Sequence, residues 1–280
     1  MRKVAIVTGG NKGLGFGICR GLAQVFDGDV LLTARNTQRG IQAVQDLQKE
    51  GLTNVKFHLL DIDDSESIAA MAAFVKETYG GIDVLVNNAG IKSRTEPFGL
   101  QAKVTIATNY FSVQDCCHQL FPLLRNGSRV VNVGSSSGVL ERIQDQDLKS
   151  KFASSGSTLT YEELDNLMRD FMEAANAGDH VAKGWPDHTY AVSKIGLTAL
   201  TRIQQQKFSE NPDLKDVVIN HVHPGYMSTD LTCHKGPLTI DQGAKSSIFA
   251  ATLPPNTDVK GQYIWSDCQI LDWVHGPIPA

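Results

Sequence analysis

The sequence predicts an α/β protein with a doubly wound, seven-stranded parallel sheet and helices on both faces. Seven short runs rich in β-branched residues alternate with helical stretches along the 280 residues. These runs are largely apolar, as strands buried on both faces are. Because no repeat and no linker rich in Pro, Gly or Ser divides the chain, we expect a single domain over residues 1–280.

The strands and helices can be placed in order along the chain. The seven predicted strands read VAIVT from Val4, DVLLTA from Asp29, VKFHLLD from Val55, IDVLVNN from Ile82, RVVNV from Arg129, VVINHV from Val217 and GQYIW from Gly261. After the second strand, a helix from Thr37 is predicted to end at a capping Gly51. After the third, a helix is predicted to begin with Ser65 as its N-cap and to stop at Gly80.

Residues 139–188 interrupt this alternation with a polar segment. Within it, Thr160 and Glu163 have the spacing of a capping box. Apolar residues follow at helical spacing, namely Leu164, Leu167, Met168, Phe171 and Met172. We therefore expect a helical insertion whose amphipathic helix packs on the main domain.

Composition and charge exclude several functional classes. The 26 basic and 30 acidic residues give a net charge of −4 without a basic block, so neither nucleic acid nor a membrane is an expected partner. No apolar run approaches the roughly 18 residues of a membrane span. The N-terminal apolar run is too short for a signal peptide, which predicts a cytoplasmic protein. The five cysteines, without C-x-x-C spacing, are then expected to be reduced thiols. His221 and His223 lack zinc-like spacing to other ligands, so no metal is expected.

A glycine-rich stretch follows the first predicted strand. Thr8, Gly9, Gly13 and Gly15 form the pattern T-G-x-x-x-G-x-G ahead of a helix. Glycines let the backbone approach a pyrophosphate, and the helix N-terminus offers it free N–H groups. The stretch predicts a dinucleotide site, the alternative being a merely structural tight turn. The predicted contacts are Gly9, Asn11, Lys12, Gly13, Leu14 and Gly15.

The residues that follow the second and third strands predict which dinucleotide binds. The second strand ends at Arg35, where an NAD site usually has an acidic residue for the ribose 2′-hydroxyl. Arg35, Lys12 and Arg39 can instead surround a 2′-phosphate, which predicts NADP(H). The alternative is that these residues are solvated surface cations. Asp61 and the backbone of Ile62 are placed to meet the adenine amino group.

Tyr190 and Lys194 predict the chemistry at the other end of the site. Residues four apart lie on one side of a helix, although such a pair can be incidental. Carbonyl reduction needs an acid that is protonated at rest, and a nearby ammonium is expected to lower the pKa of the Tyr190 phenol. Ser135, after the fifth strand, can steady the substrate oxygen. The Asn109 amide can hold a water that relays protons to Lys194.

Together these motifs give the chain a resemblance to a known family. The glycine stretch, NNAG at Asn87–Gly90, Asn109, Ser135, Tyr190-x-x-x-Lys194 and HPGYMSTD from His223 occur in the order typical of the short-chain dehydrogenase/reductases. Within that family the chain looks most like the monomeric NADPH-dependent carbonyl reductases. The resemblance implies a catalytic group of Asn109, Ser135, Tyr190 and Lys194. It also implies cofactor contacts at Asn88, Gly90, Tyr190, Lys194, Pro224, Gly225, Met227, Ser228 and Thr229, and substrate contacts at Ser135, Tyr190 and Tyr226.

The expected function is NADPH-dependent reduction of ketones, aldehydes or quinones to alcohols, with Tyr190 as the general acid. The alternatives are a hydroxysteroid or prostaglandin dehydrogenase of the same family, and a regulator that senses NADPH without catalysis. Gly134 and Tyr226 depart from residues common in such reductases, so the resemblance does not fix the substrate. In oligomeric relatives the helix that carries Tyr190 helps build the subunit interface. The insertion precedes this helix, and we expect it to cover that face and leave a monomer.

Overall fold

Eight strands form one sheet within residues 1–94 and 96–279, which are the residues that this computed structural model describes. They are β1 (Val4–Val7), β2 (Asp29–Ala34), β3 (Val55–Leu59), β4 (Ile82–Asn87), β5 (Leu124–Val133), β6 (Val218–Val222), β7 (Tyr263–Ile264) and β8 (Ile270–Leu271). Their order across the sheet is β3-β2-β1-β4-β5-β6-β7-β8. β1 to β7 are parallel, as the sequence predicts.

The predicted sheet lacks the eighth strand, and β5 begins at Leu124 and not at the predicted Arg129. β8 pairs with β7 in the antiparallel direction, through two residue pairs only. A turn with Cys268 in the left-handed conformation connects the two strands. A strand of two residues has no period that a sequence pattern can reveal, so the prediction of seven strands omitted it.

Helices cover both faces of the sheet. They are α1 (Gly13–Val25), α2 (Thr37–Lys49), α3 (Ser65–Thr78), α4 (Phe98–Ile106), α5 (Val113–Leu120), α6 (Gln146–Ala153), α7 (Tyr161–Ala177), α8 (Thr189–Ser209) and α9 (Ile240–Ala251), and a π-helix over Ala107–Ser112 joins α4 to α5. The N-cap of α3 is Asp64 and not Ser65, because the Asp64 carboxylate accepts the Glu66 N–H while the Ser65 hydroxyl accepts a hydrogen bond from Gln119. No helix of the described residues is long and apolar enough to cross a membrane.

The strands are apolar because both of their faces are covered. In β1, Val4 and Ile6 pack on one face of the sheet, and Ala5 and Val7 pack on the other. None of the four has any exposed surface. Alternate residues of a strand point to opposite faces, so a strand covered on both sides needs an unbroken apolar run.

The position of β1 determines where a ligand can bind. β1 lies between β2 and β4, so the connections after β1 and after β4 run to opposite sides of the sheet. At such a switch point the loops at the carboxyl ends of the strands diverge and leave a crevice. The glycine stretch after β1 and NNAG after β4 border this crevice.

The segment 139–188 contains α6 and α7. α7 begins with the capping box predicted for Thr160 and Glu163, whose side chains each bind the other residue's backbone N–H. Its apolar face packs against α4 and α8. The contacts are close, since a Cβ added to Gly196 of α8 would collide with the Met168 side chain, and one added to Gly99 of α4 would collide with the backbone of Asn176.

Candidate active site

A cleft of about 1040 Å³ opens at the carboxyl ends of the parallel strands. Loops that follow β1 to β6 line it, on both sides of the switch between β1 and β4. Its volume is slightly above the roughly 300–1,000 Å³ typical of small-molecule sites, so a cofactor and a substrate can bind together. Apart from Arg39, every residue predicted to bind cofactor or substrate lines this cleft.

The glycine stretch forms a close-packed turn between β1 and α1. Gly9 and Gly13 have φ angles of 63° and 55°, in the left-handed region that disfavours a Cβ. At Gly15 an added Cβ would collide with the Gly9 carbonyl oxygen and with the Asn88 amide. Lys12, the N-cap of α1, gives the helix no side-chain hydrogen bond. The first N–H groups of α1 are therefore available to an anion in the cleft.

Asn88 braces this turn from the end of β4. Its side-chain amide donates hydrogen bonds to the carbonyls of Thr8 (2.8 Å) and Gly9 (3.1 Å). The Thr8 hydroxyl accepts hydrogen bonds from the backbone N–H groups of Asn88 and Ala89, both at 2.9 Å. Both amide hydrogens of Asn88 are thus engaged in shaping the glycine turn.

The charges of the cleft favour an anionic ligand. Among its described lining residues, six are cationic and three are acidic, namely Lys12, Arg35, Lys92, Arg94, Lys194 and Lys235 against Asp61, Asp63 and Asp230. This local excess contrasts with the net charge of −4 of the whole chain. A cleft lined by charges of one sign concentrates ligands of the opposite sign. The lining and the open helix N-terminus fit a phosphorylated dinucleotide.

Two of the three cations predicted at a 2′-phosphate lie in the cleft. Arg35 is exposed at the end of β2, and Lys12 lies in the glycine turn, where it forms an ion pair with Asp230 at 2.5 Å. The contact between Arg39 and the 2′-phosphate stays a prediction. Arg39 lies in the first turn of the exposed helix α2, where its N–H binds the Asn36 side chain, and it does not line the cleft.

Tyr190 and Lys194 lie one turn apart on α8, at the other end of the cleft. Lys194 is buried, and its ammonium donates a hydrogen bond of 2.7 Å to the carbonyl of Val133, the last residue of β5. The ammonium lies 5.6 Å from the centre of the Tyr190 ring. α8 and β5 together hold both side chains at the floor of the cleft.

The pKa of Tyr190 shifts in the direction opposite to the expectation. Burial raises the pKa of the phenol to about 12, and a hydrogen bond with Ser135 offsets only part of this effect. Burial also lowers the pKa of Lys194 from 10.5 to about 8. The charged form of each group loses solvation in the cleft floor, which raises the pKa of the phenol and lowers that of the ammonium. Tyr190 is therefore fully protonated at neutral pH.

Ser135 follows β5 and presents a hydrogen-bond donor. Its Oγ accepts the N–H of Ser137 at 3.1 Å, within a short turn of 3₁₀-helix over Ser136–Gly138. Because this bond uses a lone pair of the oxygen, the hydroxyl hydrogen is available to donate. The Ser135 hydroxyl also neighbours that of Tyr190. Two hydroxyl groups can thus reach one oxygen atom in the cleft.

Asn109 lies in the π-helix behind the cleft, and its amide is already engaged. Its side-chain oxygen accepts the Ile91 N–H, while its nitrogen donates to the Ile91 carbonyl, both at 2.8 Å, and to the Ser193 hydroxyl at 3.0 Å. Both amide hydrogens are thus engaged, and the second lone pair of the side-chain oxygen is what remains for the predicted water. Asn109 also ties the loop after Gly90 to α8. π-Helical turns often occur at functional sites.

Sequence reasoning missed three residues that contact the loop after β5. Tyr263 donates a hydrogen bond to the Ser135 carbonyl, and Trp273 donates one to the Gly138 carbonyl, both at 2.8 Å. His223 Nδ1 accepts the Ser136 N–H at 3.0 Å. Burial lowers the pKa of His223 to about 4, so the neutral ring can accept this bond. Of the three, only His223 has a signal in the sequence, the HPGY motif that it begins.

The comparisons with known proteins agree with this geometry. Residues 3–158 match the family model described as short chain dehydrogenase. The chain is 44% identical to carbonyl reductase [NADPH] 1 of Homo sapiens over 275 residues, which is 96% of this chain and 98% of that protein. It is also 44% identical to carbonyl reductase [NADPH] 3 of Mus musculus over 268 residues, covering 94% and 95% of the two chains.

Among solved structures, the fold is similar to that of salutaridine reductase from Papaver somniferum, with a TM-score of 0.85 and 28% sequence identity. That similarity covers 95% of this chain and all of the other. The menthone neomenthol reductase of Mentha piperita has a TM-score of 0.80 at 30% identity. By fold, motifs and sequence similarity, the chain belongs to the short-chain dehydrogenase/reductase family and is similar to its carbonyl reductases.

Proposed function

We propose that this protein is an NADPH-dependent carbonyl reductase that converts ketones, aldehydes or quinones to alcohols. The observation that carries the proposal is the pairing of two hydroxyl groups, those of Ser135 and Tyr190, at the floor of a positively charged cleft. Relatives that are 44% identical over nearly the whole chain bear the name carbonyl reductase [NADPH], which supports the same activity here.

In this proposal Asn109, Ser135, Tyr190 and Lys194 form the catalytic group. The bound cofactor supplies the hydride that the carbonyl carbon receives. Ser135 donates a hydrogen bond to the carbonyl oxygen and stabilises the negative charge that develops there. Tyr190 transfers its phenolic proton to that oxygen and regains a proton from solvent. Asn109 acts as a positioning residue that holds the loop after β4 against α8.

A high pKa keeps Tyr190 protonated and ready to donate its proton. It also means that the phenolate left after proton transfer has a high free energy. The positive charge of Lys194, 5.6 Å from the ring centre, offsets part of that cost while the proton is being transferred. The role of Lys194 is therefore to stabilise the product state of the proton transfer. It does not lower the resting pKa of the phenol.

The preference for NADPH over NADH rests on the end of β2. An acidic residue at this position would bind the ribose 2′-hydroxyl of NADH. This chain instead has Arg35, which lines the cleft. Asp29, the acidic residue of β2, lies at the opposite end of the strand, where it is buried and paired with Arg2 and Lys56. Arg35 and Lys12 are the residues that we assign to the 2′-phosphate.

We also propose that the protein is a cytoplasmic monomer of one domain, with 139–188 as a helical insertion. Leu164, Met168 and Phe171 of α7 are fully buried, so α7 covers the faces of α4 and α8 that an oligomer would otherwise need. All five cysteines, each among the described residues, are free thiols, which supports a reducing compartment.

A carbonyl panel tests the proposed function directly. Purified protein is mixed with NADPH and a quinone, an aromatic aldehyde, a ketosteroid or a prostaglandin, and NADPH oxidation is followed by absorbance. The proposal predicts oxidation that depends on both the protein and the carbonyl, with the matching alcohol as product. NADPH binding without oxidation in the presence of any of these carbonyls would instead favour a regulator that senses the cofactor.

A further inference from the structure

The loop of residues 135–138 is held by hydrogen bonds from distant parts of the chain. Its internal bonds run from the N–H of Ser137 to Ser135 Oγ and from the N–H of Gly138 to the Ser135 carbonyl. Three further bonds come from Tyr263, Trp273 and His223. The two donors, Tyr263 and Trp273, are 128 and 135 residues away from their acceptors in sequence.

Tyr263 and Trp273 come from the hairpin formed by β7 and β8. Tyr263 is the first residue of β7, and Trp273 follows two residues after β8. The pairing of Tyr263 with Leu271 brings both donors to the same loop. The short eighth strand thus has a consequence for the active site, because it places the Trp273 indole beneath Gly138.

The ring of Tyr263 is fixed by its surroundings. The His221 imidazole stacks on it at 4.5 Å between centroids, and Trp265 meets it edge-on at 5.7 Å. The side chain is only 1% exposed and does not line the cleft, so its hydroxyl is out of reach of a substrate. The phenolic hydrogen is directed instead at the Ser135 carbonyl, 2.8 Å away.

These contacts determine where the Ser135 hydroxyl lies. Ser135 belongs to a loop, and a loop residue is positioned only as well as its backbone is held. The Ser135 carbonyl accepts hydrogen bonds from both Gly138 and Tyr263, while the end of the turn is held at Gly138 by Trp273. Removal of the Tyr263 hydroxyl leaves the ring packing in place. The Ser135 carbonyl then loses one of its two hydrogen bonds and keeps only the one from Gly138.

We propose that Tyr263 and Trp273 are positioning residues that hold the loop of residues 135–138 so that the Ser135 hydroxyl reaches the substrate oxygen. This inference rests on the proposed function and adds the β7–β8 hairpin to the machinery that supports it. Tyr263 acts through the Ser135 carbonyl, whereas Trp273 holds Gly138, which also packs against Lys194. The effect of Tyr263 on turnover therefore disappears when the Ser135 hydroxyl is removed.

A double-mutant cycle tests this dependence. The variants are Tyr263→Phe, Ser135→Ala and the two combined, with Tyr79→Phe as the matched control. Tyr79→Phe also removes a buried phenolic hydrogen bond, the one that Tyr79 donates to Asp29, but this bond lies at the far end of the sheet. We expect Tyr263→Phe to lower kcat roughly tenfold, since small displacements of a reacting group are costly. Tyr79→Phe should leave kcat unchanged, and NADPH affinity should stay constant in every variant.

The decisive comparison is made in the Ser135→Ala background. There, Tyr263→Phe should have no further effect on kcat, and an equal tenfold loss in both backgrounds would overturn the proposal. Trp273→Phe should also lower kcat, and part of this loss should persist in the Ser135→Ala background because Gly138 also packs against Lys194. Hydrogen exchange of the amides of residues 136–138 gives a readout independent of activity. It should be faster in Tyr263→Phe than in Tyr79→Phe or the wild type, and unchanged exchange would contradict the proposal even if the protein proved not to be a reductase.

Discussion

The Lys194 ammonium contacts the face of the Tyr190 ring at 5.6 Å from its centre and donates its hydrogen bond to the Val133 carbonyl. The ammonium does not bind the phenolic oxygen in this arrangement. The positive charge is thus held close to the acid by β5, while burial keeps the acid protonated. Two consequences follow for Lys194 itself, one for cofactor affinity and one for stability.

The affinity for NADPH should depend on the charge of Lys194. Burial lowers the pKa of Lys194 to about 8, so the ammonium is lost as the pH rises through that value. We expect NADPH to bind roughly tenfold more weakly at pH 9 than at pH 7, because charge-assisted contacts with the anionic cofactor are lost. Tyr190 contributes nothing in this range, since its pKa is about 12. Fluorescence titration measures the affinity, and Lys194→Met should bind weakly and independently of pH. An unchanged affinity of the wild type from pH 7 to 9 would argue against a charged contact.

Lys194→Met should make the protein without cofactor more stable at pH 7. The folded chain must keep a buried ammonium at this pH, so the substitution is expected to raise the free energy of unfolding by about 2 kcal/mol. The pKa of Lys194 is about 8 in the folded protein against 10.5 ordinarily. Between these values the unfolded chain holds a proton that the folded chain has released, so wild-type stability rises with pH there. The advantage of Lys194→Met should shrink as the pH rises from 8 to 10, as measured by urea unfolding. A destabilised variant would contradict this view of Lys194.

Arg35→Asp should reduce the preference for NADPH over NADH. Arg35 is the cation that ends β2 in the cleft, and a carboxylate there repels a 2′-phosphate and can bind a 2′-hydroxyl. The ratio of kcat/KM with NADPH to that with NADH should fall by roughly 10- to 100-fold, as expected for charged hydrogen bonds. Lys207→Asp is the control for the change in charge, because Lys207 is an exposed cation in the last turn of α8 outside the cleft lining, and the cofactor ratio of this variant should stay near that of the wild type. Equal use of both cofactors by the native chain would refute the assignment of Arg35.

The protein should sediment as a monomer. α7 buries the faces of α4 and α8 within the chain, through residues such as Leu164 and Phe171. Stable dimer interfaces bury on the order of 800 Å² per partner, and this covered face cannot supply that area. Sedimentation velocity over a wide range of protein concentration checks this expectation. A dimer or tetramer that persists on dilution would count against it.

Much of the fold is visible in the sequence because it depends on local patterns. The parallel strands follow from apolar runs. The glycine turn follows from three glycines, two of which have positive φ angles and one of which has no room for a Cβ. Tyr190 and Lys194 are visible because four residues make about one helical turn. These are the elements for which residues close in sequence are also close in space.

What the sequence did not reveal depends on long-range contacts. The pKa of Tyr190 is determined by burial, which arises only when α8 packs against β5. The engagement of the Asn109 amide depends on where the chain passes at Ile91. The hairpin that carries Tyr263 meets Ser135 across 128 residues. A local sequence pattern gives no information about contacts between residues that lie so far apart in the chain.

The central claim is that Tyr190 is the acid of a carbonyl reductase, and Tyr190→Phe tests it most directly. The variant keeps the ring that packs beside Lys194 and loses only the hydroxyl group. We expect NADPH to bind with nearly wild-type affinity, while turnover of a carbonyl that the wild type reduces falls by roughly 10²- to 10⁴-fold. If Tyr190→Phe retains wild-type turnover of that carbonyl, Tyr190 is not the acid and the mechanism proposed for this cleft is wrong.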